Sequence, residues 1–153
     1  MLSDPTDKTF RSYIFFWLGQ LFSLLGSSII GFVITWWIAD TTRSPIFLSV
    51  AAFTSSLPMV ILTPLMGVYI DRWNRKLTIG LSDFLQASTT IWIFIIFILE
   101  IENVWFLIIL NTVRAIFQAI HYPTVNAIIP IMIPKKYLSR MNAINYLFTG
   151  MIR

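Results

Sequence analysis

The sequence contains no cysteine, which excludes disulfides and thiolate chemistry and leaves the redox compartment unmarked. It is also poor in charge. Asp, Glu, Lys and Arg make up 12% of the residues, about half of the roughly 25% usual in a soluble globular chain. There is a single histidine, His121, and no Ser/His/Asp set that can be placed on facing helices, while the only glutamates, Glu100 and Glu102, sit together in a turn. An enzyme is therefore not expected, and neither is a cofactor or a metal site. The net charge of +4 does not point to nucleic acid, because the basic residues gather in loops on one side instead of covering a surface.

What is present in place of charge is apolar length. Over 153 residues the chain is 57% hydrophobic with a mean hydropathy of +0.77, the composition of a membrane protein. The first apolar run is too long for a signal-peptide core and lacks a small-residue cleavage site, so it reads as a retained span. The fold class expected is an all-α membrane protein with four transmembrane helices and the start of a fifth. The spans fall at 12–39, 46–70, 77–99 and 104–129, with a partial fifth at 139–153, all in one domain running over 1–153. Trp36 and Trp37 close the first span as an aromatic belt would, and Trp105 opens the fourth. Pro45 opens the second in the position where its missing N–H costs nothing. Pro58 and Pro64 predict kinks within that span, and Pro123 a bend in the fourth, which Pro130 and Pro134 then end.

Polar residues inside these spans are few, so each carries information. In the first, Ser23, Ser27, Gly31 and Thr35 recur every four residues and let another helix approach. Gln20 shares their face; packing does not require it, and the seam is open to reading as packing or as a substrate path. In the fourth, Asn111, Arg114, Gln118 and His121 stand three, four and three residues apart, forming one stripe that faces a cavity or the bundle interior. Arg114 lies about ten residues, or roughly 15 Å, from the outer end, close to the bilayer midplane. A charge there is a functional hypothesis by default. Asp83 sits about two turns into the third span, where an unpartnered carboxylate costs roughly 2.5–3.5 kcal/mol at full depth and less near the interface. Arg72, Arg75 and Arg140 are its candidate partners; a salt bridge tying the loops and a proton-carrying role are both open.

The segment Gly67-Val68-Tyr69-Ile70-Asp71-Arg72-Trp73-Asn74-Arg75-Lys76 concentrates charge between the second and third spans. Asp71 is unfavourable at the end of a helix, where unpaired carbonyls are already negative, and its basic neighbours offset it. Asn74 is placed to cap the next helix, with Arg75 as its first residue. A basic loop between spans is common in itself. This one, however, resembles the signature Gly-x-x-x-Asp-Arg-x-Gly-Arg-Arg of the major facilitator superfamily of secondary transporters, matched at Gly67, Asp71, Arg72, Arg75 and Lys76. Asn74 stands where the general signature has glycine, and Asp-Arg-Trp-Asn-Arg is similar to the form of the macrolide-efflux-like branch. Arg114 resembles the arginine of that family's fourth span, with Gln118-Ala119 keeping part of the pattern that follows it.

The resemblance implies a proton-coupled efflux transporter for drugs or other small amphipathic molecules, in which two six-helix halves rock about a midplane site. Gly67, Asp71, Arg72, Arg75, Lys76 and Asp83 would belong to a cytoplasmic gate, and Gln20, Asn111, Arg114, Gln118 and His121 to the cavity lining. Its partners would be a small-molecule substrate, protons, the lipid bilayer and a C-terminal bundle that this N-terminal fragment lacks. Uptake of a nutrient or metabolite by the same fold, and a membrane interaction fragment that transports nothing, are the alternatives. The three segments 1–11, 71–76 and 131–140 hold eight Lys or Arg residues, while the opposite turns hold only Arg43. The positive-inside rule then places the N-terminus in the cytoplasm, with the protein in the plasma membrane.

Overall fold

The computed structural model describes residues 7–70 and 72–152, apart from the side chains of Asp7, Lys8 and Val68. These residues form five helices, α1 (Asp7–Thr42), α2 (Pro45–Ile70), α3 (Arg75–Ile98), α4 (Val104–Met132) and α5 (Lys135–Ile152), and no strand occurs among them. Four stretches, Thr9–Thr42, Pro45–Gly67, Arg75–Ile98 and Val104–Met132, are long and apolar enough to cross a membrane.

Local chemistry accounts for most of the helix ends. Asn74 is extended and its side-chain oxygen accepts a 3.3 Å hydrogen bond from the backbone N–H of Leu77, so Arg75 opens α3 as the cap predicts. Asn103 does the same for α4, accepting from the N–H of Trp105 at 2.9 Å. At the two turns that precede α2 and α4, the chain reverses through left-handed residues that are not glycine, Arg43 (φ 47°) and Glu100 (φ 54°). α2 continues through Pro58 and Pro64, and α4 continues through Pro123 and through Pro130 to Met132, beyond the expected stop. Proline is tolerated in membrane helices where neighbouring groups satisfy the freed carbonyl. α5 starts at Lys135, earlier than the expected span, because Pro134 precedes it and its first two lysines point into solvent.

The chain divides into two compact units. The first contains 1–30 and 127–153. Its buried centre is Tyr13, Ile133 and Met141. Phe10 stacks on Tyr137 at 5.1 Å, the Trp17 ring meets the edge of Phe148 at 5.7 Å, and the Trp17 indole N–H donates to Oδ1 of Asn145 at 2.9 Å. α1 and α5 are thus tied by aromatic contacts and one polar clasp.

The second unit contains 31–126. Ile34, Ile38, Ala51, Ile70, Ile79, Ile93, Leu107, Ile108 and Ala119 are its buried apolar residues. Trp37 packs edge-on against Phe97 at 5.7 Å and Phe47 against Trp105 at 5.4 Å, so aromatic pairs join α1 to α3 and α2 to α4. Large apolar side chains such as Phe32, Phe53, Phe84, Trp92 and Phe94 point outward, while Thr78, Ser82, Gln86, Thr89, Arg114, His121 and Thr124 are buried. That inversion suits a lipid surround, where apolar side chains face hydrocarbon and polar groups find partners between helices.

Candidate functional site

The polar interior of the second unit is built on two helices. On α4 the stripe points inward as its spacing requires: Arg114 is only 7% exposed, His121 is buried, and Asn111 and Gln118 are half-buried. Thr124, three residues beyond His121, is fully buried and donates to the carbonyl of Ile120 at 2.7 Å. The Arg114 Nε is buried and finds no hydrogen-bond acceptor among the described residues. A guanidinium in that position is costly unless an anion or a polar ligand comes to it.

On α3 a second stripe runs through Thr78, Ser82, Gln86 and Thr89, all buried. The sequence reading missed it, although the spacing of four, four and three was visible. Their donors are largely satisfied by the helix itself: Thr78 Oγ1 donates to Asn74 O at 3.1 Å, Gln86 Nε2 to Ser82 O at 3.4 Å, and Thr89 Oγ1 to Leu85 O at 2.8 Å.

The two helices meet through a charged contact. His121 Nε2 lies 3.0 Å from Asp83 Oδ1, a close approach that is not aligned as a hydrogen bond. Sequence reading placed arginines beside Asp83 and did not consider histidine. A partial signal was there in the hairpin: the short connection at 99–103 makes α3 and α4 antiparallel neighbours, and Asp83 and His121 lie 16 and 18 residues from it.

The loop motif is exposed by contrast. Arg72 and Lys76 lie at the surface and Arg75 is half-buried. The turn is closed by the Arg72 N–H donating to Tyr69 O at 3.0 Å, and the Tyr69 and Trp73 rings are 6.1 Å apart. Asp71 lies outside the described residues, so its place in the expected gate has no geometry. Open space surrounds both Gly67 and Gly31; no atom comes within 4 Å of where a Cβ would stand, and the close helix approach expected at each is not made here. Gln20 belongs to the first unit, where it is half-buried and engaged in an interaction of its own.

Apolar helices with polar groups gathered between them define a multi-span α-helical membrane protein. Residues 16–152 match the Major Facilitator Superfamily, and the chain belongs to that family. It is 32% identical over 125 residues to Macrolide efflux protein A of Streptococcus pyogenes, an alignment covering 81% of this chain and 31% of that protein. It is 32% identical over 85 residues to Macrolide efflux protein A of Enterococcus faecalis, covering 55% of this chain and 26% of the relative. An uncharacterised MFS-type transporter of Bacillus subtilis (strain 168) is 22% identical over 136 residues, covering 88% and 31%. The chain therefore spans about a third of the length of the curated relatives it matches. No solved structure matches it significantly.

Proposed function

We propose that the chain supplies the N-terminal spans of a secondary active transporter that exports macrolides or similar amphipathic molecules from the cell in exchange for protons. The observation that carries this reading is the buried Arg114, without a hydrogen-bonded partner at its Nε among the described residues, on a polar stripe inside a bundle whose relatives include macrolide efflux proteins. A cation buried there, its Nε without an acceptor among the described residues, is retained for something it binds or moves. Asn111, Gln118 and His121 extend the polar lining.

In this reading the protein lies in the plasma membrane with its N-terminus in the cytoplasm, and further helices complete the bundle around a site that opens alternately to each side. Asp71, Arg72, Arg75 and Lys76 act at the cytoplasmic gate, with Gly67 as the place where another helix comes close. Asp83 fastens α3 to α4 behind that loop.

The test is the accumulation of a radiolabelled macrolide in susceptible cells with and without the protein. The expected result is lower accumulation, reversed by a protonophore and by Arg114→Ala at equal membrane abundance. Equal accumulation in both cell types sinks export. Lower accumulation that persists in the protonophore removes proton coupling alone, and higher accumulation indicates uptake by the same fold. Asp71→Asn is expected to impair export by unbalancing the gate; normal export at wild-type abundance takes Asp71 out of it.

A further inference from the structure

We propose that Asp83 and His121 together form a proton-binding site, in which the imidazole on α4 takes up a proton beside the carboxylate on α3. Its use as the coupling proton rests on the transport reading above; its existence as a site does not.

The identity of the partner is what changes the chemistry. A carboxylate paired with arginine is a permanent salt bridge, since a guanidinium does not give up its proton in a protein. Imidazole gains and loses a proton within the physiological range. At 3.0 Å a bare Nε2 lone pair and a carboxylate oxygen would repel each other, so the neutral ring faces Asp83 with its Nε2–H and a further proton enters at Nδ1. With His121 neutral the pair carries one negative charge. Addition of a proton from water to the imidazole yields an ion pair of zero net charge, and its return to water on the other side restores the starting state.

Position separates this pair from an ordinary surface salt bridge. Asp83 lies eight residues into α3 and His121 eleven residues before the end of α4, about 12 and 17 Å along their helices, so both are inside the membrane-crossing segments. The His121 side chain is 10% exposed and that of Asp83 34%, which makes the carboxylate the entry and the imidazole the inner station.

Other titratable or charged groups in this unit stand apart from the pair in sequence register. On α3 the nearest are Lys76 and Arg75, seven and eight residues toward the loop; on α4 they are the neighbouring Tyr122 and Arg114, two turns deeper. Asp83 itself, Arg75 and Tyr122 each have a further interaction. α1 within this unit contributes Asp40 alone, at its far end, and α2 contributes Tyr69 alone. Because His121 shares its helix face with Arg114, a proton arriving at the pair changes the charge felt along the same stripe that faces the substrate.

His121 is the only histidine of the chain, so its ring resonances can be read without assignment. The experiment is a pH titration of the full chain, labelled with ¹⁵N and ¹³C at histidine and held in lipid nanodiscs. The expected result is a switch between neutral and imidazolium forms between about pH 5 and pH 8. Its midpoint should move by about one pH unit or more in Asp83→Asn and return toward the parent value in Asp83→Glu. A histidine that keeps one protonation state throughout, or that titrates identically in the parent and in a helical, membrane-inserted Asp83→Asn, overturns the proposal. Macrolide export by a protein whose His121 never titrates leaves transport standing and removes this site. A titrating pair in a protein that exports nothing does the reverse.

Discussion

Arg114 shows how a single residue can be placed against the stability of its own fold. It is 93% removed from solvent by its 7% exposure, and no acceptor among the described residues meets its Nε. Insertion scales put the cost of an arginine at the helix centre at roughly 2.5–3.5 kcal/mol. Arg114→Met keeps the length and removes the charge, so it is expected to raise the stability of the purified protein by about 1–3 kcal/mol while abolishing export. Thermal unfolding in detergent and the accumulation assay check the two halves. A destabilised variant would show that the guanidinium has an anionic partner holding the bundle together. The inward direction of Arg114, and of Asn111, Gln118 and His121 with it, was legible because residues three and four apart share a helix face. The partner of Asp83 was not, since facing residues come from different helices.

At the scale of the helices, the ends are set by short-range chemistry that can be altered one residue at a time. Asn74→Ala removes the acceptor for the Leu77 N–H and should cost about 1 kcal/mol, seen as a lower unfolding midpoint. Glu100 adopts a φ of 54°, a conformation that costs most L-residues about 1 kcal/mol or more. Glu100→Gly is accordingly expected to stabilise the turn by about 0.5–1 kcal/mol; no gain on unfolding would mean that the side chain repays the strain through its own contacts. In the first unit, Asn145→Leu leaves the Trp17 indole N–H without its acceptor and should cost about 1–3 kcal/mol. Red-edge shifts in tryptophan emission would accompany that loss if the indole meets water. The Asn74 cap could be read beforehand because a cap and its helix are adjacent in the chain. The start of α5 at Lys135 and the passage of α4 through Pro130 could not, since whether proline interrupts a helix depends on neighbouring groups that satisfy the freed carbonyl, and those come from elsewhere in the chain.

For the whole molecule, the distribution of basic residues predicts a cytoplasmic N-terminus, and the absence of cysteine makes that simple to test. A membrane-impermeant maleimide should label Ile101→Cys on intact cells and Lys136→Cys only after permeabilisation; the opposite pattern would invert the topology. Composition alone determined that this is a helical membrane protein, because long apolar segments in lipid must satisfy their backbone hydrogen bonds internally. The charged loop between the second and third spans was likewise enough to point to the family, as its chemistry is contiguous in the chain. Tertiary structure decided what meets what: Trp17 with Asn145, Trp37 with Phe97, and above all Asp83 with His121. The hairpin hinted at that last register, but a contact of 3.0 Å depends on helix rotation and crossing, which are set by packing between elements and leave no fixed spacing in the sequence.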